Sequence, residues 1–244
     1  MSDSLAFLID APMQSWGVSS RFQRRETEGW PTKSALVGLI AAAMGIDKHA
    51  LDEAEKLTHL AALVFSVFRW GKPHPSLRLS DFHTIGGGWH DQWKADKNDV
   101  IAKFSVPAKA GDGSPFGTVV TRRSYLTDAR FIAVFQGERS VLDSISSALL
   151  DPVWGVWFGR KTCIPAMPLS PVIAGTPREA LAGLMQSLCR DPAEVENLEG
   201  LTETEGPGIW YQTDQPVAFG QHHGPVPEAY RSRPVRRLPP GEMP

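Results

Sequence analysis

The chain has 244 residues, of which 42% are hydrophobic and 21% are charged. This is typical of a globular protein with one large or two small domains, and it excludes a collagen, a coiled coil and a wholly disordered chain. The longest apolar stretch, residues 35–46, is far shorter than the roughly 20 residues of a membrane-spanning helix, and the first ten residues lack the basic start of a signal peptide. Two cysteines supply neither a disulfide framework nor a four-ligand zinc site. We therefore predict a cytoplasmic protein that does not contact a membrane.

The formal net charge of −2 results from an uneven distribution of charged residues. Residues 191–205 contain six acidic side chains and no lysine or arginine, so the rest of the chain carries a formal charge of +4. The basic residues outside this segment form four clusters: Arg21, Arg24, Arg25 and Lys33; Arg122, Arg123 and Arg130; Arg160 and Lys161; and Arg231, Arg233, Arg236 and Arg237. One such cluster is ordinary solvated surface, whereas four favour an anionic partner.

In chain order, the first predicted elements are a strand, a helix and a second strand. An apolar run at residues 5–9 predicts the first strand. Thr32 is predicted to cap a helix whose apolar side chains recur at helical spacing as far as Gly45, and residues 51–57 add another turn or two. Continuous apolar and aromatic residues at 59–70 then predict a buried strand.

Residues 71–128 are predicted to form a protruding β-hairpin inserted between two strands of the core. Two segments with alternating polarity, 77–84 and 118–126, enclose a stretch that contains Gly, Lys and Trp. The enclosed stretch has few periodic apolar residues, so we expect it to bury little surface.

After the insertion, the pattern predicts a strand at 130–136, a helix that stops at Asp151-Pro152, and a fourth strand at 154–158. The order strand, helix, strand, strand, helix, strand predicts an α+β, ferredoxin-like fold of the RRM-like βαββαβ type. Residues 1–170 would form this domain.

Residues 171–244 are predicted to form a small C-terminal domain with a loose, Pro-rich tail. The pattern here indicates a helix at 178–189 and short strands at 209–213 and 217–219. The acidic segment at 191–205 is expected to be a loop.

The segment Gly155-Val-Trp-Phe-Gly159-Arg160-Lys161 resembles a phosphate loop superficially, but its spacing does not match one. Glycine at a strand end followed by two cations would let an RNA backbone approach the main chain while Arg160 and Lys161 meet phosphates. A plain turn is the alternative.

Aromatic residues supply a second kind of contact with nucleic acid, because bases stack on their faces. Four tryptophans lie among Gly, Gln, Lys and His, and we expect their rings to be exposed or to contact a partner: Trp16, Trp30, Trp89 and Trp93.

His83, Tyr125 and Lys33 supply groups for acid–base catalysis, because RNA cleavage needs one group to activate the ribose 2′-OH and another to protonate the leaving oxygen. Nothing in the sequence places the three together, so we predict no catalytic residues. No histidine pair has the i, i+4 spacing of a helical metal site, and we predict no metal and no cofactor.

Several motifs, none of them distinctive alone, together resemble a known family. They are Ala11-Pro12-Met13-Gln14-Ser15-Trp16-Gly17, Pro31-Thr32-Lys33-Ser34-Ala35-Leu36, Asp81-Phe82-His83-Thr84, Tyr125-Leu126-Thr127-Asp128-Ala129-Arg130-Phe131 and Phe158-Gly159-Arg160-Lys161-Thr162-Cys163-Ile164-Pro165. In this order, over roughly residues 5–170, they resemble the CasD family, the CRISPR-associated family-five subunits of type I-E Cascade in the RAMP superfamily.

The resemblance implies a RAMP subunit that holds the 5′ handle of the CRISPR RNA (crRNA) at one end of a surveillance complex in antiviral defence. It implies a thumb hairpin that contacts the neighbouring backbone subunit and the guide, a large subunit as a further partner, and contact with target DNA only through the complex. By this analogy the residues near the handle are Trp16, Lys33, Ser34, Arg122, Arg123, Tyr125, Gly159, Arg160 and Lys161. With Arg21, Arg24, Arg25 and His83 they complete the predicted RNA-binding set.

A non-catalytic RNA-binding scaffold is therefore the preferred hypothesis. The alternative is a metal-independent endoribonuclease that processes precursor crRNA, since a related type I-C member is a processing enzyme on a similar fold. A third hypothesis is an interaction protein that binds no RNA. Fold alone does not separate them, because chemistry depends on the site.

Overall fold

The structure, a computed structural model, describes residues 2–17, 23–71, 77–85, 119–220 and 231–244. The strands are β1 (Asp3–Asp10), β2 (Met13–Gln14), β3 (Arg24–Arg25), β4 (Val64–Arg69), β5 (Leu77–Ile85), β6 (Val119–Thr127), β7 (Arg130–Gly137), β8 (Val172–Ala174), β9 (Glu199–Glu203), β10 (Trp210–Gln212) and β11 (Arg233–Leu238). The α-helices are α1 (Lys33–Ala43), α2 (Glu53–Ala61), α3 (Arg139–Leu150) and α4 (Pro177–Ser187), and a 3-10 helix spans Pro192–Asn197. None of these helices has the length and apolar character needed to cross a membrane.

Seven strands form one antiparallel sheet in the order β10-β11-β9-β4-β7-β1-β8. Its centre is buried on both faces, which explains the continuous apolar runs of β1 and β7. Leu5, Phe7 and Ile9 pack in the cluster that contains the buried residues of α1 and α3. Ala6 and Leu8 point to the other face, where they pack with buried residues of α4. The structure is thus a mixed arrangement of helices and mainly antiparallel sheets.

The predicted strand at 154–158 is wrong, because the main chain there bonds to other parts of the molecule. The amides of Val153 and Trp154 donate to the last carbonyl oxygens of α1, at 2.9 and 3.3 Å. Phe158 bonds instead to Ser15 and Cys163. The next strand after α3 is β8, which pairs antiparallel with β1 from Ser4↔Ala174 to Ala6↔Val172.

The other core elements lie close to their predicted positions. Thr32 caps α1, and its side chain accepts a hydrogen bond from the amide of Ala35. The strand predicted from residue 59 begins later, as β4, because the end of α2 occupies the first residues of that segment. The helix that stops at Asp151-Pro152 is confirmed as α3.

The residues after 170 extend the same sheet. The predicted helix is confirmed as α4, and β10 confirms the strand expected at 209–213. The strand expected at 217–219 is wrong, since the amides of Phe219 and Gly220 donate to the carboxylate of Glu53. The sequence pattern did not predict β9, in the acidic segment, or β11, in the segment expected to be a loose tail. The division into two domains at residue 170 stays a prediction.

The second sheet contains β2, β3, β5 and β6. The two alternating segments of the insertion pair antiparallel as β5 and β6, from Leu77↔Thr127 to Ile85↔Val119. β2 and β3 both pair with β6 and connect this hairpin to the rest of the chain. The predicted hairpin stretch between the two strands, residues 86–118 with Trp89 and Trp93, lies outside the described residues.

Candidate nucleic-acid interface

Four arginines lie side by side on β3 and β6, and we call them the arginine ribbon. The two strands are parallel, with Arg24 opposite Arg122 and Arg25 opposite Arg123. Arg24, Arg25 and Arg122 are exposed, and Arg123 is half-buried. Like charges directly opposite each other on paired strands destabilise a sheet. Successive side chains of a strand point to opposite faces, so Arg24 and Arg122 share one face of this strand pair and Arg25 and Arg123 share the other. An anion bound at either pair would reduce the repulsion within it.

Phe82 adds an exposed aromatic ring to the ribbon. It lies opposite Arg122 on β5, and 61% of its surface is accessible. The Arg122 guanidinium lies 4.8 Å from the centre of the ring. The sequence pattern did not identify Phe82 as a site residue, because its shared face with Arg122 follows from the pairing of β5 with β6. Adjacent cation and ring are the groups that bind the phosphate and the base of a single strand.

Acidic side chains lie beside two members of the ribbon. Asp81 on β5 is opposite Arg123. Arg24 Nε lies 3.9 Å from Glu26 Oε1, and both side chains are more than half exposed. Exposed ion pairs of this kind contribute little to stability. Glu26 also accepts a hydrogen bond from Ser124 Oγ at 2.8 Å, which fixes the end of β3 to β6.

Arg160 holds the two strands of the ribbon together. Its Nη1 donates to the carbonyl oxygen of Ser124 and its Nη2 to that of Arg25, each at 2.8 Å. The same guanidinium stacks 4.6 Å from the centre of the Tyr125 ring. That ring is buried, with 4% of the residue exposed, so it supports Arg160 and offers no free face to a base.

Gly159 determines where Arg160 lies. Its φ is +97°, and a Cβ at this position would lie 1.8 Å from the carbonyl oxygen of Ser15. The amide of Ser15 donates to the carbonyl of Phe158 at 3.1 Å, which keeps the two segments in contact. Only glycine fits this approach. Lys161 follows as an exposed cation, with its Nζ 5.5 Å from the centre of the Trp157 ring.

Lys33 lies in the core instead of at the ribbon. Its side chain is 1% exposed, and its Nζ donates to Glu203 Oε2 at 2.8 Å. Burial lowers the pKa of Lys33 below the ordinary lysine value, although the attraction of Glu203 opposes that shift. The amide of Lys33 donates to the buried carboxylate of Asp214, which also binds Arg233. The next residue, Ser34, is half-buried in the first turn of α1.

The exposure expected of Trp16 is wrong, because its ring is fully buried. The indole N–H donates to Gln14 Oε1 at 3.1 Å, and the ring packs 6.0 Å from that of Phe158. Trp30 is half-buried beneath the Arg69 guanidinium, which lies 4.3 Å from its ring centre. Arg21 lies outside the described residues.

The structure does not bring the three acid–base candidates together. His83 is exposed on β5 opposite Thr121, whereas Tyr125 is opposite Leu79, four residues and about 13 Å away along the strand. Lys33 bonds to the seven-stranded sheet through Glu203. Among the described residues, no group of three His, Cys, Asp or Glu side chains is arranged to hold a metal ion.

The profile of the family described as CRISPR-associated protein (Cas_Cas5) matches residues 4–205. The chain therefore belongs to the CRISPR-associated Cas5 family. It is 27% identical over 192 residues to the CRISPR system Cascade subunit CasD of Escherichia coli (strain K12), covering 74% of this chain and 76% of that protein. The resemblance to CasD that the sequence motifs indicate is thus confirmed.

Two solved structures share the fold. A chain of a CRISPR RNA-guided surveillance complex is 29% identical, with a TM-score of 0.66 over 97% of this chain and 90% of that one. A Cas protein crystal structure is 26% identical, with a TM-score of 0.58 over 98% and 95% of the two chains.

Proposed function

We propose that the chain is a non-catalytic RNA-binding subunit of a type I-E Cascade surveillance complex, and that it holds the 5′ handle of the crRNA in antiviral defence. The observation that carries this proposal is the arginine ribbon. Its cross-strand pairs of like charge repel each other, and a bound polyanion would reduce that repulsion. Phosphate contacts from arginines position a nucleic acid without reading its sequence. The similarity to a Cascade subunit and to a surveillance-complex chain supports RNA as that polyanion.

Within this proposal the predicted residues have different roles. Ribbon arginines bind phosphates, and Phe82 offers its ring to a base. His83 and Lys161, both exposed, and Ser34 extend the contact surface. Arg160, Tyr125 and Gly159 position the ribbon, Trp16 packs against Phe158 in the core, and Lys33 connects α1 to Glu203 on β9.

We also propose that β4, β7, β1 and β8 with their helices are a ferredoxin-like RAMP domain. Their order in the sheet and their antiparallel pairing support this assignment. The insertion at 71–128 would be the thumb that contacts the backbone subunit and the guide. The large subunit is a further partner, target DNA is met only through the complex, and the cytoplasm is the proposed location.

The first test removes one cross-strand pair, as Arg24→Ala with Arg122→Ala. We expect weaker binding of labelled CRISPR repeat RNA, measured by fluorescence anisotropy at several salt concentrations. The slope of log affinity against log salt should fall by about 0.7 for each phosphate that the variant no longer binds. The matched control is Arg139→Ala with Arg178→Ala, two exposed arginines paired with helix-surface acids, which changes the net charge equally. An equal decrease in both double variants would overturn the proposal.

The same preparation tests the alternative enzyme. The chain is incubated with repeat RNA and a chelator, and the products are separated on a denaturing gel. We expect intact RNA, because His83 and Tyr125 are separated along the β5–β6 pair. Specific cleavage that disappears in His83→Ala would establish the endoribonuclease and contradict the non-catalytic proposal.

A further inference from the structure

A second aromatic and cationic site lies at the β10 end of the seven-stranded sheet, as described. It is a pocket of about 480 Å³ between β10, β11 and the loop before α1. This volume falls in the range of small-ligand sites. We call it the edge pocket, and the residues used below are Glu28, Trp30, Trp210, Tyr211 and Arg237.

Aromatic rings at the edge pocket are unusually accessible. Trp210 is 42% exposed and Tyr211 is 65% exposed, both on the short strand β10. Trp30 forms another wall, and its ring packs against Phe131 with centroids 5.6 Å apart. The pocket thus combines a ring fixed by the core with rings open to a partner, which is the arrangement of a base-stacking platform.

Arg237 adds a cation to the edge pocket, which is also lined by the acid Glu28. Trp210 lies opposite Val235, and Arg237 is two residues further along β11, so both side chains project from the same face of the sheet. The other arginines of β11 are occupied: Arg233 binds Asp214, and Arg236 binds Glu242 at 2.6 Å. Arg237 is exposed and forms no ion pair with the described residues.

The edge pocket is adjacent to the arginine ribbon. β3 ends at Arg25, and Glu28, which lines the pocket, follows three residues later, a span of at most about 11 Å. The pocket is therefore within reach of a single strand that binds at Arg25. The Glu28 carboxylate there would accept a hydrogen bond from the exocyclic amino group of adenine or cytosine.

We propose that the edge pocket binds one nucleotide of single-stranded RNA, with its base stacked on Trp210 and its phosphate paired with Arg237. This proposal rests on the proposed function, because it requires that the chain binds RNA. It adds a contact separate from the ribbon and an expected preference for adenine and cytosine over uracil.

The test measures RNA affinity and the site of crosslinking together. Trp210→Ala should weaken binding of a short oligoadenylate RNA by about 5- to 150-fold, the effect of removing one stacked base. Trp210→Phe keeps an aromatic face and should bind close to wild type. Arg237→Gln should lower the salt slope by about 0.7, whereas the control Arg236→Gln, whose guanidinium pairs with Glu242, should not.

Ultraviolet crosslinking followed by tryptic digestion locates the contact. The β10 residues lie in the tryptic fragment 191–231, which is separate from the fragments that contain the ribbon. We expect crosslinks in this fragment and their disappearance in Trp210→Ala, with thermal melting to verify that each variant is folded.

The outcomes separate the two proposals. No RNA binding by the wild-type chain would overturn the proposed function. RNA binding with crosslinks only at the ribbon would overturn the edge pocket alone. Assembly of the co-expressed complex that fails in Trp210→Ala while RNA crosslinks persist would assign the pocket to a neighbouring protein, and binding of DNA but not RNA would also contradict the proposal.

Discussion

Gly159 allows the loop that carries Arg160 to touch the main chain of Ser15. Replacing it with alanine forces a Cβ within 1.8 Å of the Ser15 carbonyl oxygen. Residues held in sparsely populated backbone conformations cost about 1–3 kcal/mol, and the collision adds to that. We expect Gly159→Ala to lower the free energy of unfolding in a urea titration and to weaken RNA binding, because Arg160 loses its two carbonyl partners.

Gly71 provides the matched control for this substitution. Its φ is +107°, and a Cβ there would meet no atom of the described residues within 4 Å. Gly71→Ala therefore carries the conformational strain without the collision. If the two variants were equally destabilised and bound RNA equally, the contact with Ser15 would have no role in positioning Arg160.

Lys33 makes the free energy of unfolding depend on pH in the alkaline range. Burial lowers its pKa in the folded state below the ordinary value of 10.5. Between the two values the unfolded chain binds the proton and the folded chain does not, so stability rises with pH across this window. Below the pKa of the folded state, burial of the charged ammonium group lowers the free energy of unfolding by its full amount. This destabilisation disappears as the pH approaches 10.5, where the unfolded chain also loses the proton.

Replacing the ammonium group with a neutral side chain tests this sign. In urea unfolding at several pH values, the wild-type chain should gain stability relative to Lys33→Met as the pH rises towards the unfolded value. Lys56→Met is the control, since Lys56 is half exposed and pairs with Asp52 on the surface. If the stability of the wild-type chain relative to Lys33→Met fell as the pH rose through this window, the lowered pKa of Lys33 would be wrong.

At the scale of elements, local periodicity was sufficient for the central strands and the helices. β1, β4 and β7 are buried on both faces, so their apolar runs identify them without knowledge of their partners. The start of α1 is predictable because the Thr32 side chain accepts a hydrogen bond from the amide of Ala35, only three residues later. These features depend on neighbours in sequence, which is why the sequence predicts them.

The sequence does not predict which segment after α3 forms a strand, because pairing with distant residues decides it. Residues 154–158 are as apolar as a strand, but their amides bond to the end of α1 and to the turn at Cys163. β8 has only three residues, all half-buried, and carries no visible period. β8 is a strand because it pairs with β1, and the local sequence pattern does not predict that pairing.

The sequence predicts which residues belong to the candidate site better than it predicts how they are arranged. The ribbon arginines stand out in the sequence as cations, but a two-residue strand has no periodicity that would predict the parallel pairing of β3 with β6. Lys33 was grouped with the surface cations because Glu203, the acid that pairs with it, is 170 residues away in sequence. Charge identifies candidates, and only the fold distinguishes a surface cation from a buried one.

At the scale of the whole molecule, a buried charge network connects the start of α1 to the C-terminal strands. Asp214 is 2% exposed and binds both the Lys33 amide and the Arg233 guanidinium. Arg233 also lies 5.3 Å from the centre of the Phe65 ring on β4. The last strands therefore belong to the same packing unit as the central sheet, with β9 hydrogen bonded to β4 on one side and to β11 on the other.

This connection predicts that removing residues 231–244 weakens the entire sheet. Val235 and Leu238 are fully buried, and burying each contributes about 1.5–3 kcal/mol. Breaking a buried ion pair by removing one partner, as here for Asp214, costs about 3–5 kcal/mol. The combined effect is comparable with the roughly 5–15 kcal/mol that stabilises a typical domain. Calorimetry of the truncated chain should show one broad transition at a much lower temperature, or none.

A chain that ends at Pro240 is the control for this truncation. It keeps all of β11 and removes only a half-exposed ion pair and the half-buried Met243, so its melting temperature should stay close to that of the full chain. If the chain lacking 231–244 instead showed a high transition at the wild-type temperature, residues 1–170 would fold independently of the last strands. Coupling through Asp214 predicts the opposite, because the carboxylate that loses Arg233 is the one that holds the first residue of α1.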